Sequence, residues 1–259
     1  MMKIDLKIDT KKVRQRLVDF VKVAVNKAGF SRGIIGLSGG IDSSLVAYIS
    51  AEALKPENVW GAILPYKTSS PDSESHAKLV AQILGIHIIK VDISPMIDEY
   101  FKMFPSADNI RRGNKMSRER MSILYDHSQY LKAIVIGTTN KTEYLLGYGT
   151  VYGDSACGIN PIGDLYKTHI RQMAIEYGIP EEIINKKPSA DLWCGQTDED
   201  ELGFKYEDVD KLLFLMIEKK YSINKLIDCG FSKDFIKKVT YLIRKNAFKR
   251  HTPPIPRVR

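Results

Sequence analysis

The sequence predicts an α/β protein, a doubly wound parallel sheet with helices on both faces, folded as a single domain over residues 1–259. Three observations predict it. Short apolar runs rich in β-branched residues, among them Gly33-Ile34-Ile35-Gly36-Leu37 and Ala133-Ile134-Val135-Ile136, have the length of buried strands. Stretches with helical apolar spacing separate these runs. The first run ends in Ser38-Gly39-Gly40-Ile41-Asp42-Ser43-Ser44, a glycine turn that opens directly onto a helix. Strands alternating with helices build parallel sheets joined by right-handed crossovers.

In chain order, Asp9-Thr10 can cap a first helix from Lys11 to Ala28, with Val13, Leu17, Phe20 and Val21 as its apolar stripe. The first strand and the glycine turn follow, and the helix from Leu45 to Leu54 is closed by Pro56. Val59 to Leu64 reads as the second strand and Pro65 to Pro71 as a loop. A helix from Asp72 to Leu84 stops at Gly85, and Ile86 to Val91 reads as the third strand. Helical stretches cover Met96 to Phe104 and, interrupted by Gly113, Met116 to Gln129. The fourth strand ends at Gly137, and no fifth is legible. Lys187 to Gly203 is polar, poorly periodic and too long for an ordinary connection, so it is expected to be a mobile lid or disordered. Tyr206 to Lys219, Ser222 to Asp228 and Ser232 to Lys245 read as short helices, and residues 247–259 as a basic tail broken by prolines.

A strand turning through paired glycines onto a helix N-terminus is a phosphate cradle. Glycine lets the backbone approach the anion, and the free N–H groups and helix dipole favour negative charge. Hydroxyls of Ser38, Ser43 and Ser44 can add hydrogen bonds, and Asp42 can hold a divalent cation. No lysine follows the glycines as a P-loop requires, and Gly-x-Gly-x-x-Gly is absent. The pattern instead resembles the pyrophosphate loop of the ATP pyrophosphatases, and a plain solvent-facing turn is its rival.

The longest apolar run, Leu212 to Ile217, is far short of the ~20 residues of a membrane span, and no signal-peptide core begins the chain. Cys157, Cys194 and Cys229 are odd in number and widely spaced, which argues against a disulfide framework and a zinc site. A cytoplasmic protein with free thiols and no membrane is expected. The net charge of +8 suits a polyanionic nucleotide as well as RNA. Basic residues nowhere interleave with stacking aromatics, so no nucleic-acid partner is expected.

Three further constellations follow the glycine loop. The first is Gly113-Asn114-Lys115-Met116-Ser117-Arg118-Glu119-Arg120-Met121. The second runs from Gly137-Thr138-Thr139-Asn140-Lys141-Thr142-Glu143 through Gly147-Tyr148-Gly149-Thr150 to Tyr152-Gly153-Asp154 and Asn160-Pro161. The third is Lys187-Pro188-Ser189-Ala190-Asp191-Leu192-Trp193 with Gln196-Thr197-Asp198-Glu199 and Glu201-Leu202-Gly203. In this order the four closely resemble the ammonia-dependent NAD synthetases, from about Lys11 to Pro254.

The resemblance implies amidation of deamido-NAD by ammonia with ATP and Mg²⁺, giving NAD, AMP and pyrophosphate through an acyl adenylate, in a homodimer. It implies that Gly36, Leu37, Ser38, Gly39, Gly40, Ile41, Asp42 and Ser43 meet the ATP phosphates, and that Asp42 and Glu143 hold Mg²⁺. Thr138, Lys167 and Ser189 become ATP contacts, with Lys167 also catalytic. Arg118, Val151, Gly158, Phe248 and Lys249 fall where deamido-NAD is contacted. Gly158 stands where many members carry Asp, and Phe248 where a His-Lys pair begins. Asp154, carried by the family pattern too, is the candidate to take the proton from ammonium.

Plainer readings compete. Arg118 and Arg120 suit the solvated face of a helix, Lys167 an ion pair with a neighbouring acid, and Asp154 a turn. Another adenylating enzyme with the same loop, such as a tRNA-modifying ligase, and a non-enzymatic nucleotide-binding module are the alternative functions. The paired cysteines common in tRNA thiolation are lacking, and a sensor makes the pairing of Asp42 with Glu143 a coincidence.

Overall fold

The computed structural model describes residues 4–189, 191–193 and 195–258. Helix α1 (Thr10–Lys27) starts where Asp9 accepts a hydrogen bond from the Lys12 amide at 3.1 Å. Then come β1 (Arg32–Gly36), α2 (Ile41–Leu54), β2 (Val59–Ile63), α3 (Pro71–Leu84), β3 (His87–Lys90), α4 (Ser94–Lys102), α5 (Asn109–Leu131) and β4 (Ala133–Ile136). The strands form one parallel sheet in the order β3-β2-β1-β4, with Ile34 opposite Trp60 on one side and Val135 on the other.

Central strands are apolar on both faces because helices cover both. Ile35, Ile134 and Ile136 pack into a core with α1, α2 and α3, whereas Ile34, Ala133 and Val135 pack against α4 and α5 on the opposite side. The chain leaves β1 towards β2 and β3 on one side, and β4 returns on the other. The carboxyl ends of β1 and β4 therefore flank the switch point, where such sheets bind ligands. Beyond β4, among the described residues, a single parallel bridge joins Ile136 to Ile159 in place of a fifth strand.

The expected interruption at Gly113 is corrected: α5 runs through it unbroken. A Cβ at this buried glycine would stand 2.9 Å from the Leu192 side chain, so the residue admits a neighbouring segment rather than ending a helix. After β4 come α6 (Lys141–Leu146), α7 (Lys167–Glu176), α8 (Glu181–Ile184) and α9 (Asp198–Leu202), the last lying inside the segment expected to be a lid. Helix α10 (Tyr206–Leu213) continues as a π-helical turn to Glu218, followed by α11 (Ile223–Asp228) and α12 (Lys233–Lys245). These last helices gather with Leu146 and Tyr166 around a second apolar cluster that includes Val209, Leu212 and Val239. Cys157 and Cys229 are free thiols, and Cys194 lies outside the described residues. Among the described residues no helix is long and apolar enough to cross a membrane.

Candidate active site

The carboxyl end of the sheet opens into a cavity of about 1340 Å³. The glycine loop forms its floor. Leu37 continues the sheet by donating its amide to the Ala62 carbonyl, and Gly39 then turns with φ +72. A Cβ on Gly39 would lie 2.1 Å from the Ser73 carbonyl oxygen, so both the turn and its closeness to α3 require glycine. Gly40 offers α2 no side-chain cap, and the helix opens at its N-terminus onto the cavity. The serines wind the loop. The Ser38 amide donates to Ser43 Oγ at 3.2 Å, and the Ser43 and Ser44 hydroxyls donate to the Gly40 carbonyl at 3.1 and 2.8 Å.

Across the crevice stands α6, set by a reciprocal cap. Asn140 Oδ1 accepts from the Glu143 amide at 3.0 Å, and Glu143 Oε2 accepts from the Asn140 amide at 3.2 Å. The Asn140 side-chain amide also donates to Asp42 Oδ1 at 2.9 Å, tying the two loops of the switch point together. Lys167, at the start of α7 and 3 % exposed, donates its ammonium to Asp42 Oδ2 and lies 3.6 Å from Glu143 Oε1. Burial and the neighbouring Asp42 charge push the Glu143 carboxyl up to about 8, with Lys167 opposing. Burial disfavours charge on Lys167, but the carboxylates of Asp42 and Glu143 prevail and hold its ammonium above the usual range.

Behind this cluster Asp198 is buried and accepts hydroxyl hydrogen bonds from Tyr148 at 3.1 Å and Tyr206 at 3.0 Å. Burial pushes its carboxyl up. The Tyr206 ring centroid lies 5.2 Å from the Lys167 ammonium, a cation–π contact. The segment read as a lid is folded against the cavity. Asp191 accepts from the Ser70 amide at 3.1 Å and the Ser73 hydroxyl at 2.9 Å, capping α3 from outside, and Lys186 donates to the same hydroxyl at 2.9 Å.

The structure brings together Asp42, Glu143, Lys167, Thr138 and Ser189 around one cavity, with Asp154 and Lys249 in its wall. Asp154 Oδ1 accepts from the Ser117 hydroxyl at 2.6 Å and the Thr150 amide at 2.9 Å. Its Oδ2 takes no hydrogen bond among the described residues. Lys249 donates to the Gly147 and Gly149 carbonyls at 2.8 Å each. Arg118, Val151, Gly158 and Phe248 lie outside this wall. Arg118 donates its Nε to the Val151 carbonyl at 3.1 Å, and Phe248 is 67 % exposed. A Cβ at Gly158 would stand 2.5 Å from the Ile134 side chain, so packing on β4 accounts for glycine here. Sequence reasoning assigned no role to Asn140, Tyr148 or Asp198. For Asn140 the signal was present, since Asn followed three residues later by Glu after a strand is a capping box. Arg120, read from sequence as suited to a solvated face, instead donates Nε to the Leu64 carbonyl at 2.9 Å, and burial pushes the pKa of its guanidinium down.

A parallel α/β sheet whose switch point joins a glycine–serine anion cradle to two opposed carboxylates defines a nucleotide-handling enzyme. Comparison with known proteins narrows the class. The NAD synthase family profile matches residues 13–253, and the chain belongs to that family. It is 52 % identical to the NH(3)-dependent NAD(+) synthetase of Trichlorobacter lovleyi, over 98 % of this chain and 93 % of that protein. The solved NH3-dependent NAD synthetase from Campylobacter jejuni superposes with a TM-score of 0.83 at 33 % identity, covering 96 % of this chain and 100 % of the other. The solved NMN synthetase from Francisella tularensis superposes at 0.86 with 29 % identity, covering 96 % and 99 %.

Proposed function

We propose that this chain is a C–N ligase that amidates deamido-NAD with ammonia at the expense of ATP, giving NAD, AMP and pyrophosphate. The observation that carries it is the Asp42–Lys167–Glu143 cluster facing the glycine–serine cradle across the β1/β4 crevice. A carboxylate cannot expel oxide, so an oxygen of the nicotinate carboxylate attacks the α-phosphorus and the bond to the leaving pyrophosphate breaks. Ammonia nitrogen then attacks the acyl carbon, AMP leaves with its oxygen, and the spare proton passes to a base. The glycine loop holds the leaving pyrophosphate with backbone N–H groups, and Lys167 sets positive charge beside it. Asp154 has an oxygen free at the cavity wall to bind ammonium and accept its proton.

Mg²⁺ fits the donor set. Asp42 and Glu143 are two hard oxygen ligands, and Mg²⁺ characteristically takes one or two carboxylates and completes its shell with phosphates and water. Among the described residues no group of three or more His, Cys, Asp or Glu side chains forms a site of protein ligands alone. When bound, the cation neutralises the phosphate charge that would repel an attacking carboxylate.

Arg118, Val151, Gly158, Phe248 and Lys249 are assigned to deamido-NAD, with the first four at a face shared with a second copy of the chain in a homodimer. Such an enzyme works in the cytoplasm, where ATP is made. The test is to incubate the protein with ATP, Mg²⁺, ammonium and deamido-NAD, with the mononucleotide acid assayed in parallel. NAD, AMP and pyrophosphate are expected; ADP would overturn the adenylation route, and preference for the mononucleotide would overturn the choice of acid.

A further inference from the structure

Asp210, on α10, is fully buried, and the chemistry above makes no use of it. Its two oxygens are both occupied by donors from other helices. Oδ1 accepts from the Thr142 hydroxyl at 2.5 Å, and Oδ2 accepts from the Thr168 amide at 2.8 Å. The Thr142 hydroxyl oxygen in turn accepts from the Lys167 amide at 3.0 Å. Lys167 and Thr168 are the first two residues of α7, whose N-cap residue Tyr166 supplies no side-chain hydrogen bond to these amides. The free donors of that helix end are thus satisfied from outside, by a hydroxyl of α6 and a carboxylate of α10.

These contacts lie one residue from the reactive cluster on each side. Thr142 precedes Glu143 on α6, and the bonded amides belong to Lys167 and its neighbour. Tyr206, one helical turn before Asp210 on the same face of α10, places its ring 5.2 Å from the Lys167 ammonium. Helix α10 therefore holds the Lys167 region in two ways, at the backbone by Asp210 through the Thr168 amide and the Thr142 hydroxyl, and at the side chain through Tyr206.

We propose that Asp210 is a positioning residue for the reaction: through Thr142 and the α7 amides it sets the distance between Glu143 and Lys167. The second apolar cluster, in which α10 is seated, then serves as the footing of the phosphate end of the site. A side chain held within about 0.5 Å of its productive position needs such support, since a misplacement near 1 Å can cost on the order of a hundredfold in rate. The proposal rests on the reading of Asp42, Glu143 and Lys167 as the phosphate end.

The experiment compares Asp210→Asn, Thr142→Val and the double variant with Val239→Ala, a packing variant on α12 in the same layer. Each is assayed for melting temperature and for deamido-NAD-dependent exchange of pyrophosphate into ATP. Asp210→Asn is expected to lower the exchange kcat at least about tenfold while the KM for ATP changes less than about threefold, and the double variant should be no worse than the worse single one. Val239→Ala should lower the melting temperature with kcat retained. If Asp210→Asn does not fold, the isosteric Thr142→Val reads the same chain of bonds. Unchanged kcat in a folded variant, or a kcat loss that merely follows melting temperature in Val239→Ala as well, overturns the proposal. Lys167→Met separates the two levels. Full activity there sinks the underlying reading and this one with it, whereas an inactive Lys167→Met beside a fully active Asp210→Asn sinks this one alone.

Discussion

Lys167 joins two carboxylates from opposite sides of a crevice, which makes each of the three residues depend on the others. Asp42→Asn or Glu143→Gln is expected to lower turnover by orders of magnitude with the fold intact, and the proposed sharing of one Mg²⁺ requires the double variant to cost much less than the sum. Full activity of either single variant at ordinary Mg²⁺ would remove the metal assignment. The ligand-free protein carries a pH signature of the same cluster. The Glu143 carboxyl is raised from an ordinary 4.5 to about 8, so between those values the folded state keeps a proton that the unfolded chain has released. Stability therefore falls as pH rises through that window and levels off above it. Urea unfolding at several pH values should show this slope in the parent and a weaker one in Glu143→Gln; identical slopes would contradict the shift. Asp42 and Glu143 were legible in the sequence from their places after strands. The partnership of Lys167 with both was not, because 125 residues separate Lys167 from Asp42 and no local pattern encodes such a bond.

At the scale of elements, the glycine loop and the segment over it form one assembly. Gly39→Ala must force a side chain into a left-handed turn and against the Ser73 carbonyl, so about 1–2 kcal/mol of backbone strain is expected before the clash is counted. The measurable result is a KM for ATP raised well beyond any change in KM for deamido-NAD. An unchanged KM for ATP would mean that the loop does not meet the nucleotide. Residues 187–203 should protect the activated acyl group from water, tightening when substrates bind. ATP, Mg²⁺ and deamido-NAD together should slow proteolysis there, and equal cutting rates would count against a lid. Strands β1, β2 and β4 were easy to read because burial leaves nearly continuous apolar runs, whereas β3 is a largely exposed edge strand. Helix α7 was not read, since Lys167 and His169 are buried within its first turns and blur the apolar stripe of Ile170, Met173 and Ala174. Gly113 misled for a related reason: its purpose is the approach of Leu192, a tertiary contact that helix propensity cannot register.

For the whole molecule, the residues assigned to deamido-NAD divide between the cavity and an outer face where Tyr152 and Phe248 are exposed. A second copy on that face would complete the substrate's surroundings, and light scattering should give twice the chain mass. A monomer with full activity would place all deamido-NAD contacts within one chain. The parallel sheet and its covering by helices followed from alternation along the sequence, but the order β3-β2-β1-β4 and the second apolar cluster did not, because both are set by contacts that form only after folding. The bonds that assemble the site span long stretches of chain: Asn140 to Asp42 across 98 residues, Asp191 to Ser73 across 118, and Thr142 to Asp210 across 68. Contacts of such separation require large loops to close first, and closure is slow compared with helix growth. After dilution from denaturant, far-UV ellipticity should thus recover before pyrophosphate exchange does, leaving a transient species that has its helices and sheet yet cannot turn over ATP.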